Sequence, residues 1–270
     1  MVGDAGPAGP WVSGAVAVSD GWLAYHRTGG SGPALVLSHG LGDNGLCWSR
    51  IAVALQSDFD VIMLDARGHG ESARMPPGEP GDPAEDLAEA IDGLGLDAPI
   101  VMGHSIGGRA TADYAGAHPG RVSKVILEDP MLTPMADADA VARRRERYRQ
   151  QAEATQALSD QALADLGRSF HPTWREDEFP AWRAGKRQVD PLAMPVQSTP
   201  WDVSIAAIRA PTLIIAGEAA LGSIVTPELA AQARDLNPGL ETITIPGAGH
   251  NIRREQFDAF LAAVRAFLHD

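Results

Sequence analysis

At 270 residues and 28.4 kDa, the chain is long enough for one large core or for one domain carrying an insertion. With 44% hydrophobic and 21% charged residues it has the composition of a soluble globular protein, and no run reaches the ~18–20 apolar residues of a membrane span. A formal charge of −13 argues against the clustered basic surface that phosphate binding needs, so neither a nucleic acid nor a membrane is expected as a partner.

The opening MVGDAGPAGPWVSG has no basic stretch leading into an apolar core, which points to a cytoplasmic protein. Short β-type runs closed by turn residues then recur at 12–18, 22–27, 34–38, 61–65, 100–103, 125–128, 212–216 and 242–245, an implied count of eight strands. Several, such as LVL, VIML and VILE, are continuously apolar, which suits strands of a parallel sheet covered by helices on both faces. Segments with helical spacing occupy 48–55, 83–94, 106–117, 227–236 and 254–268. This alternation predicts an α/β fold with right-handed crossovers.

The rhythm breaks between Pro130 and about Pro200, where alanine-, charge- and aromatic-rich sequence replaces the strand signals. Residues 136–166 read as one or two amphipathic helices, and 170–201 is punctuated by proline and carries Trp174, Trp182 and Trp201. The expected organisation is a core domain of residues 1–130 and 201–270, with 131–200 as a helical cap over the carboxyl ends of the strands, where a lid would sit. The basic cluster Arg143-Arg144-Arg145-Glu146-Arg147 reads as the solvated face of a charged helix. Cys47 is the single cysteine, so neither an internal disulfide nor a cysteine metal site is expected, and it reads as a small buried apolar residue.

The chemistry-bearing stretch is VMGHSIGGRA, residues 101–110. A strand that turns abruptly into a helix forces its central residue into unfavourable backbone geometry, and glycines two before and two after let the chain pack closely there. Gly103-His104-Ser105-Ile106-Gly107 fits that description and would project the Ser105 hydroxyl above the sheet as a nucleophile. A serine needs a base close in space. His250, in PGAGHNI after the last strand, falls at the carboxyl edge of the sheet and is the candidate. His104 reads as structural. Ser38-His39-Gly40-Leu41-Gly42 follows a strand and can bring a backbone N–H towards the serine, so the N–H groups of Leu41 and Ile106 are assigned to the oxyanion hole and His39 to bracing the loop. Asp65 and Arg67 read as scaffold, paired or bonded to backbone groups.

Taken in order, HGLG at 39–42, DARGHGES at 65–72, GHSIGG at 103–108, HPGRV at 118–122 and GAGH at 247–250 resemble an α/β-hydrolase of the capped esterase, lactonase and dehalogenase superfamily. The resemblance spans nearly the whole chain except 131–200. It implies an eight-stranded, mostly parallel sheet, a helical cap, no cofactor, no metal, and the chain order nucleophile, acid, histidine.

One position departs from the family pattern. The acid usually stands three residues after the glycine closing the strand at 212–216, and there this chain has Ala220. Glu218 lies one residue after Gly217. The alternative is the end of the strand at 125–128, where some members of the superfamily are similar in carrying their acid and where Glu128 and Asp129 stand side by side. Asp129, 24 positions after Ser105, matches that site best, with Glu128 as the alternative.

A serine at the nucleophile position argues against dehalogenases and epoxide hydrolases, which need a carboxylate there to form an alkyl ester. The expected activity is hydrolysis of a small apolar ester or lactone through an acyl-enzyme, with Trp174, Trp182, Met131 and Leu132 expected to meet the substrate, and Trp201 and Met135 adding to the apolar character. Carbon–carbon bond hydrolases of ring-cleavage products and perhydrolases keep the same triad and remain alternatives. A ligand-binding protein without turnover is the alternative from a different class.

Overall fold

The computed structural model describes residues 11–76 and 81–269, so the Gly-, Ala- and Pro-rich first ten residues fall outside the described residues. Eight strands form one sheet: β1 (Val12–Val18), β2 (Gly21–Arg27), β3 (Ala34–Ser38), β4 (Asp60–Leu64), β5 (Ile100–His104), β6 (Val125–Glu128), β7 (Thr212–Ala216) and β8 (Leu240–Thr244). Their order is β1-β2-β4-β3-β5-β6-β7-β8. β2 runs antiparallel to β1 and to β4, and all other neighbours are parallel.

The continuously apolar strands are explained by burial on both faces. Successive side chains point to opposite sides of a sheet, and the buried residues divide accordingly. Val36, Ile62, Val101, Leu127 and Ile214 face one core cluster, shared with α2 (Pro83–Gly93), α3 (Ser105–Ala117), α7 (Trp201–Ala207) and α8 (Pro227–Leu236). Leu37, Met63, Met102, Ile126 and Ile215 face the other, shared with α1 (Ser49–Leu55), α9 (Ile252–Glu255) and α10 (Phe257–His269). Fully burying side chains of this size stabilises by about 1.5–3 kcal/mol each before conformational entropy is charged against it. The sequence suggests one helix over 254–268; the structure instead breaks it at Gln256, whose non-helical backbone (φ −135°, ψ 59°) separates α9 from α10.

Between β6 and α7 the chain holds α4 (Ala138–Gln156), α5 (Asp160–Phe170) and α6 (Phe179–Gln188). The first two are started by side-chain caps: Asp137 accepts from the Ala140 N–H at 2.7 Å and Ser159 from the Ala162 N–H at 3.2 Å. This segment has its own small core of Leu163, Trp174, Phe179 and Trp182. No helix among the described residues is long and apolar enough to cross a membrane.

Candidate active site

Ser105 is the residue at which β5 becomes α3, and its φ of +56° lies in the left-handed region that L-residues rarely occupy. The sequence around it makes the turn possible. A Cβ on Gly103 would meet the Gly107 carbonyl oxygen at 2.4 Å, and a Cβ on Gly107 would meet that of His39 at 2.4 Å, so only glycine fits at either place. Asp129, the first residue beyond β6, is likewise strained at φ +39°.

His250, in the turn after β8, bridges the two. Its Nε2 lies 3.0 Å from Ser105 Oγ and its Nδ1 2.6 Å from Asp129 Oδ2. With Nδ1 carrying the proton towards the carboxylate, Nε2 is left as an acceptor facing the hydroxyl. Asp129 is fully buried and saturated with donors: Ser223 Oγ–H and the Val225 N–H reach Oδ1 at 2.6 and 3.0 Å, and the Ile224 N–H reaches Oδ2 at 2.9 Å. Ser223 Oγ in turn accepts from the Gly217 N–H at 3.1 Å. The loop after β7 therefore surrounds the carboxylate with donors instead of supplying a carboxylate of its own.

Glu128, the alternative acid, does not reach His250. Strand parity sends it to the opposite face of the sheet from Leu127, where it accepts from the Arg253 N–H at 2.9 Å and from Arg253 Nη1 at 2.8 Å. Burial works against the charge on Arg253, but Glu128, with Asp43 beyond it, holds its pKa above the ordinary value. Glu218 is engaged elsewhere too, its Oε1 accepting from the Gly247 N–H at 2.7 Å. Ala220 lies exposed in a 3-10 turn.

The Gly40–Gly42 loop is braced by two histidines. His39 Nδ1–H donates to the Gly40 carbonyl at 2.8 Å while its Nε2 accepts from the Ala66 N–H at 3.0 Å; His69 Nε2 accepts from the Gly42 N–H at 3.0 Å. Burial lowers the pKa of both rings, that of His69 to about 3, which keeps them neutral and able to accept. Leu41 and Ile106 both border the cavity over Ser105. Ile106 lies in the first turn of α3, whose N–H groups have no intrahelical acceptor. His104 Nε2–H donates to the His250 carbonyl at 2.9 Å, fixing the backbone that carries the histidine. Asp65 and Arg67 do not pair with one another: Asp65 accepts from the Gly45 and Glu71 N–H groups, and Arg67 binds Asp86.

The cavity over Ser105 has a volume of about 530 Å³. Trp174, Trp182 and Met131 line it, and the Met131 N–H donates to the Ser105 carbonyl at 3.0 Å. Leu132 does not line it, contrary to the sequence reading. A tight turn closed by its N–H on the Pro130 carbonyl at 2.9 Å carries Leu132 into the core with Leu127 and Trp201, where it is 2% exposed. Met135 is exposed.

The cavity wall is not uniformly apolar. Arg144 of α4, Lys186 of α6 and Arg254 of α9 also line it, with Asp43 the one carboxylate among the lining residues. Arg254 is buried over the Trp174 ring at 4.3 Å and is balanced by Asp43 at 3.1 Å and Glu178 at 3.3 Å. Burial disfavours the Asp43 charge, yet Arg254, Lys186 and Arg253 outweigh it and hold the carboxyl far below the usual range. His171 stacks on Trp174 at 3.8 Å; burial, with Arg254 and Lys186 nearby, lowers its pKa to about 4, so it is neutral at pH 7. The sequence reading had Arg144 on a solvated helix face, whereas the structure turns it inward. Val141, Arg144, Arg145, Tyr148, Arg149 and Ala152 lie along the less exposed side of α4, and that three-to-four-residue spacing was the available signal.

The sequence model of a family described as alpha/beta hydrolases matches residues 35–263. The chain is similar to the N-formylmaleamate deformylase of Pseudomonas putida, 31% identical over 255 residues that cover 90% of this chain and 91% of that protein. It is similar to the 2-(acetamidomethylene)succinate hydrolase of Mesorhizobium japonicum, 26% identical over 256 residues and 90% of each chain. Among solved structures, a thermophilic esterase from Thermogutta terrifontis superposes with a TM-score of 0.71 at 25% identity, covering 97% of this chain and 98% of the esterase.

Proposed function

The chain is an enzyme of the alpha/beta hydrolase family, and from that premise we propose that it cleaves a carboxylic ester or lactone through an acyl-enzyme on Ser105. His250 Nε2 takes the hydroxyl proton as Oγ attacks the carbonyl carbon, and Asp129 stabilises the imidazolium so formed. The Leu41 and Ile106 N–H groups receive the oxyanion. Collapse of the tetrahedral intermediate breaks the bond to the leaving oxygen, which takes the proton from His250. Water, deprotonated by the same nitrogen, then releases the acid and regenerates Ser105. Residues 131–200 serve as the lid of this site, bringing Trp174, Trp182 and Arg144 over the serine.

The observation that carries this reading is the unbroken relay from Ser105 Oγ through His250 to Asp129, at 3.0 and 2.6 Å. Intact-mass spectrometry after treatment with a fluorophosphonate tests it. One adduct is expected on the wild type and none on Ser105→Ala; labelling that persists in the variant, or none in either, would sink the assignment.

A second reading is favoured by the two relatives matched over 90% of the chain, whose names attach them to N-formylmaleamate and 2-(acetamidomethylene)succinate. The same serine would then attack an amide carbonyl, with His250 protonating the departing nitrogen. Comparing kcat/KM for a matched aryl ester and N-acyl compound decides between the two.

A further inference from the structure

Buried arginines in this chain face carboxylates: Arg67 has Asp86, Arg109 has Asp113, Arg253 has Glu128, and Arg254 has Asp43 and Glu178. Arg144 is the exception on the cavity wall. Half-buried on α4, its guanidinium has one hydrogen-bond partner among the described residues, the Met131 sulfur at 3.0 Å, and no carboxylate within ion-pair distance. A thioether is a weak acceptor, so most of the five-donor fork stays unused.

Lys186 lines the same cavity from α6. Its ammonium donates to the Gly42 carbonyl at 2.9 Å and forms no ion pair among the described residues, which leaves donor capacity for a ligand. Asp43, the lining carboxylate, is already held by Arg254. The wall therefore carries two cations with no ion-pair partner among the described residues, in a chain of formal charge −13.

We propose that Arg144 and Lys186 form a carboxylate-binding subsite, so that the molecule hydrolysed at Ser105 carries a free carboxylate in addition to its scissile acyl group. The proposal rests on the reading of Ser105 as the nucleophile, and it replaces the expectation of a wholly apolar substrate. Burial lowers the pKa of Arg144 with nothing opposing it, and that of Lys186 despite Asp43; an anion between them would relieve both. Arg suits this task because its planar fork matches a carboxylate with two parallel hydrogen bonds. The aromatic rings of Trp174 and Trp182 would then cover the uncharged part of the same molecule.

Steady-state kinetics with p-nitrophenyl acetate and mono-p-nitrophenyl glutarate test the subsite. The wild type is expected to favour the glutarate ester in kcat/KM by about tenfold or more, the scale of one charge-assisted contact. Arg144→Gln should remove most of that preference through KM, Arg144→Lys should restore part of it, and Arg147→Gln, exposed on the same helix, should keep the wild-type ratio. Equal rates for the two esters in the wild type, or an unaltered ratio in Arg144→Gln, would overturn the proposal. A readout independent of variants is protection: glutarate should slow fluorophosphonate labelling of Ser105 and 1,5-pentanediol should not, and equal effects would also overturn it. Absence of labelling and of turnover would instead remove the nucleophile assignment, and the subsite with it.

Discussion

Asp129 Oδ2 accepts the Nδ1–H of His250 at 2.6 Å, while the residue before it, Glu128, faces the other side of the sheet and holds Arg253. Asp129→Asn should therefore lower kcat by roughly 10⁴, as loss of the acid does in comparable triads, because the amide favours the wrong imidazole tautomer. Glu218→Gln should stay within about twofold, because Glu218 touches none of Ser105, His250 and Asp129 and the amide oxygen can still accept from the Gly247 N–H. Steady-state kinetics on any hydrolysed aryl ester will decide, and the reverse pattern would move the acid to Glu218.

Glu128 is expected to matter for stability rather than for turnover. It is fully buried and its contacts are the Arg253 guanidinium and backbone. Glu128→Ala leaves a buried cation without its main partner, and breaking such a pair costs about 3–5 kcal/mol. Urea denaturation should show a midpoint lowered accordingly, and an unchanged midpoint would mean that Asp43, at 3.7 Å from Arg253, suffices.

The turn at Ser105 tolerates no side chain two residues to either side of the serine, at Gly103 or Gly107. In Gly107→Ala the new methyl would overlap the Ser38 and His39 carbonyl oxygens, which are backbone atoms of β3 and the following loop. Overpacking of this kind costs typically ~1–3 kcal/mol. We expect reduced thermal stability together with a loss of activity, since any relaxation moves Ser105; a variant with wild-type Tm and kcat would contradict the close approach.

Stability should also depend on pH through histidines. Burial is the first cause lowering the pKa of His39, His69, His104 and His171, with His69 at about 3 and His171 at about 4 against an ordinary 6.5. Below 6.5 the unfolded chain binds protons that the folded chain refuses, so stability present above that pH is lost as pH falls towards 4. Thermal unfolding should give a Tm that is level between about pH 7 and 8 and declines from about pH 6.5 downward. A Tm level across that range would show that these rings are protonated in the fold.

The central strands β3 to β7 were legible because both faces of the sheet are buried there, which makes them apolar runs. That same property hid the choice between Glu128 and Asp129: with apolar neighbours on both sides, alternation does not say which face a residue meets. The serine and the histidine were legible from their punctuation, Gly103 and Gly107 around one and PGAGH before the other. The charged cluster of Arg253, Arg254, Asp43 and Glu178 was not, since its members are scattered between 43 and 254 and only the fold brings them together. Arg144 was hidden by its neighbours, as one cation turned inward within a run of arginines carries no mark in composition.

The sheet register has a mechanical consequence. His104 pairs with Glu128, so the residues that follow them, Ser105 and Asp129, leave adjacent strands at the same level, and about 4.8 Å of ladder spacing separates those strands. Both are posts set in the middle of the sheet. His250 alone arrives from beyond the edge strand β8, on a turn tied down by the His104 side chain and the Asp129 carboxylate. Any slack in the relay therefore collects in a single imidazole, and whatever seats that ring sets the alignment of all three groups.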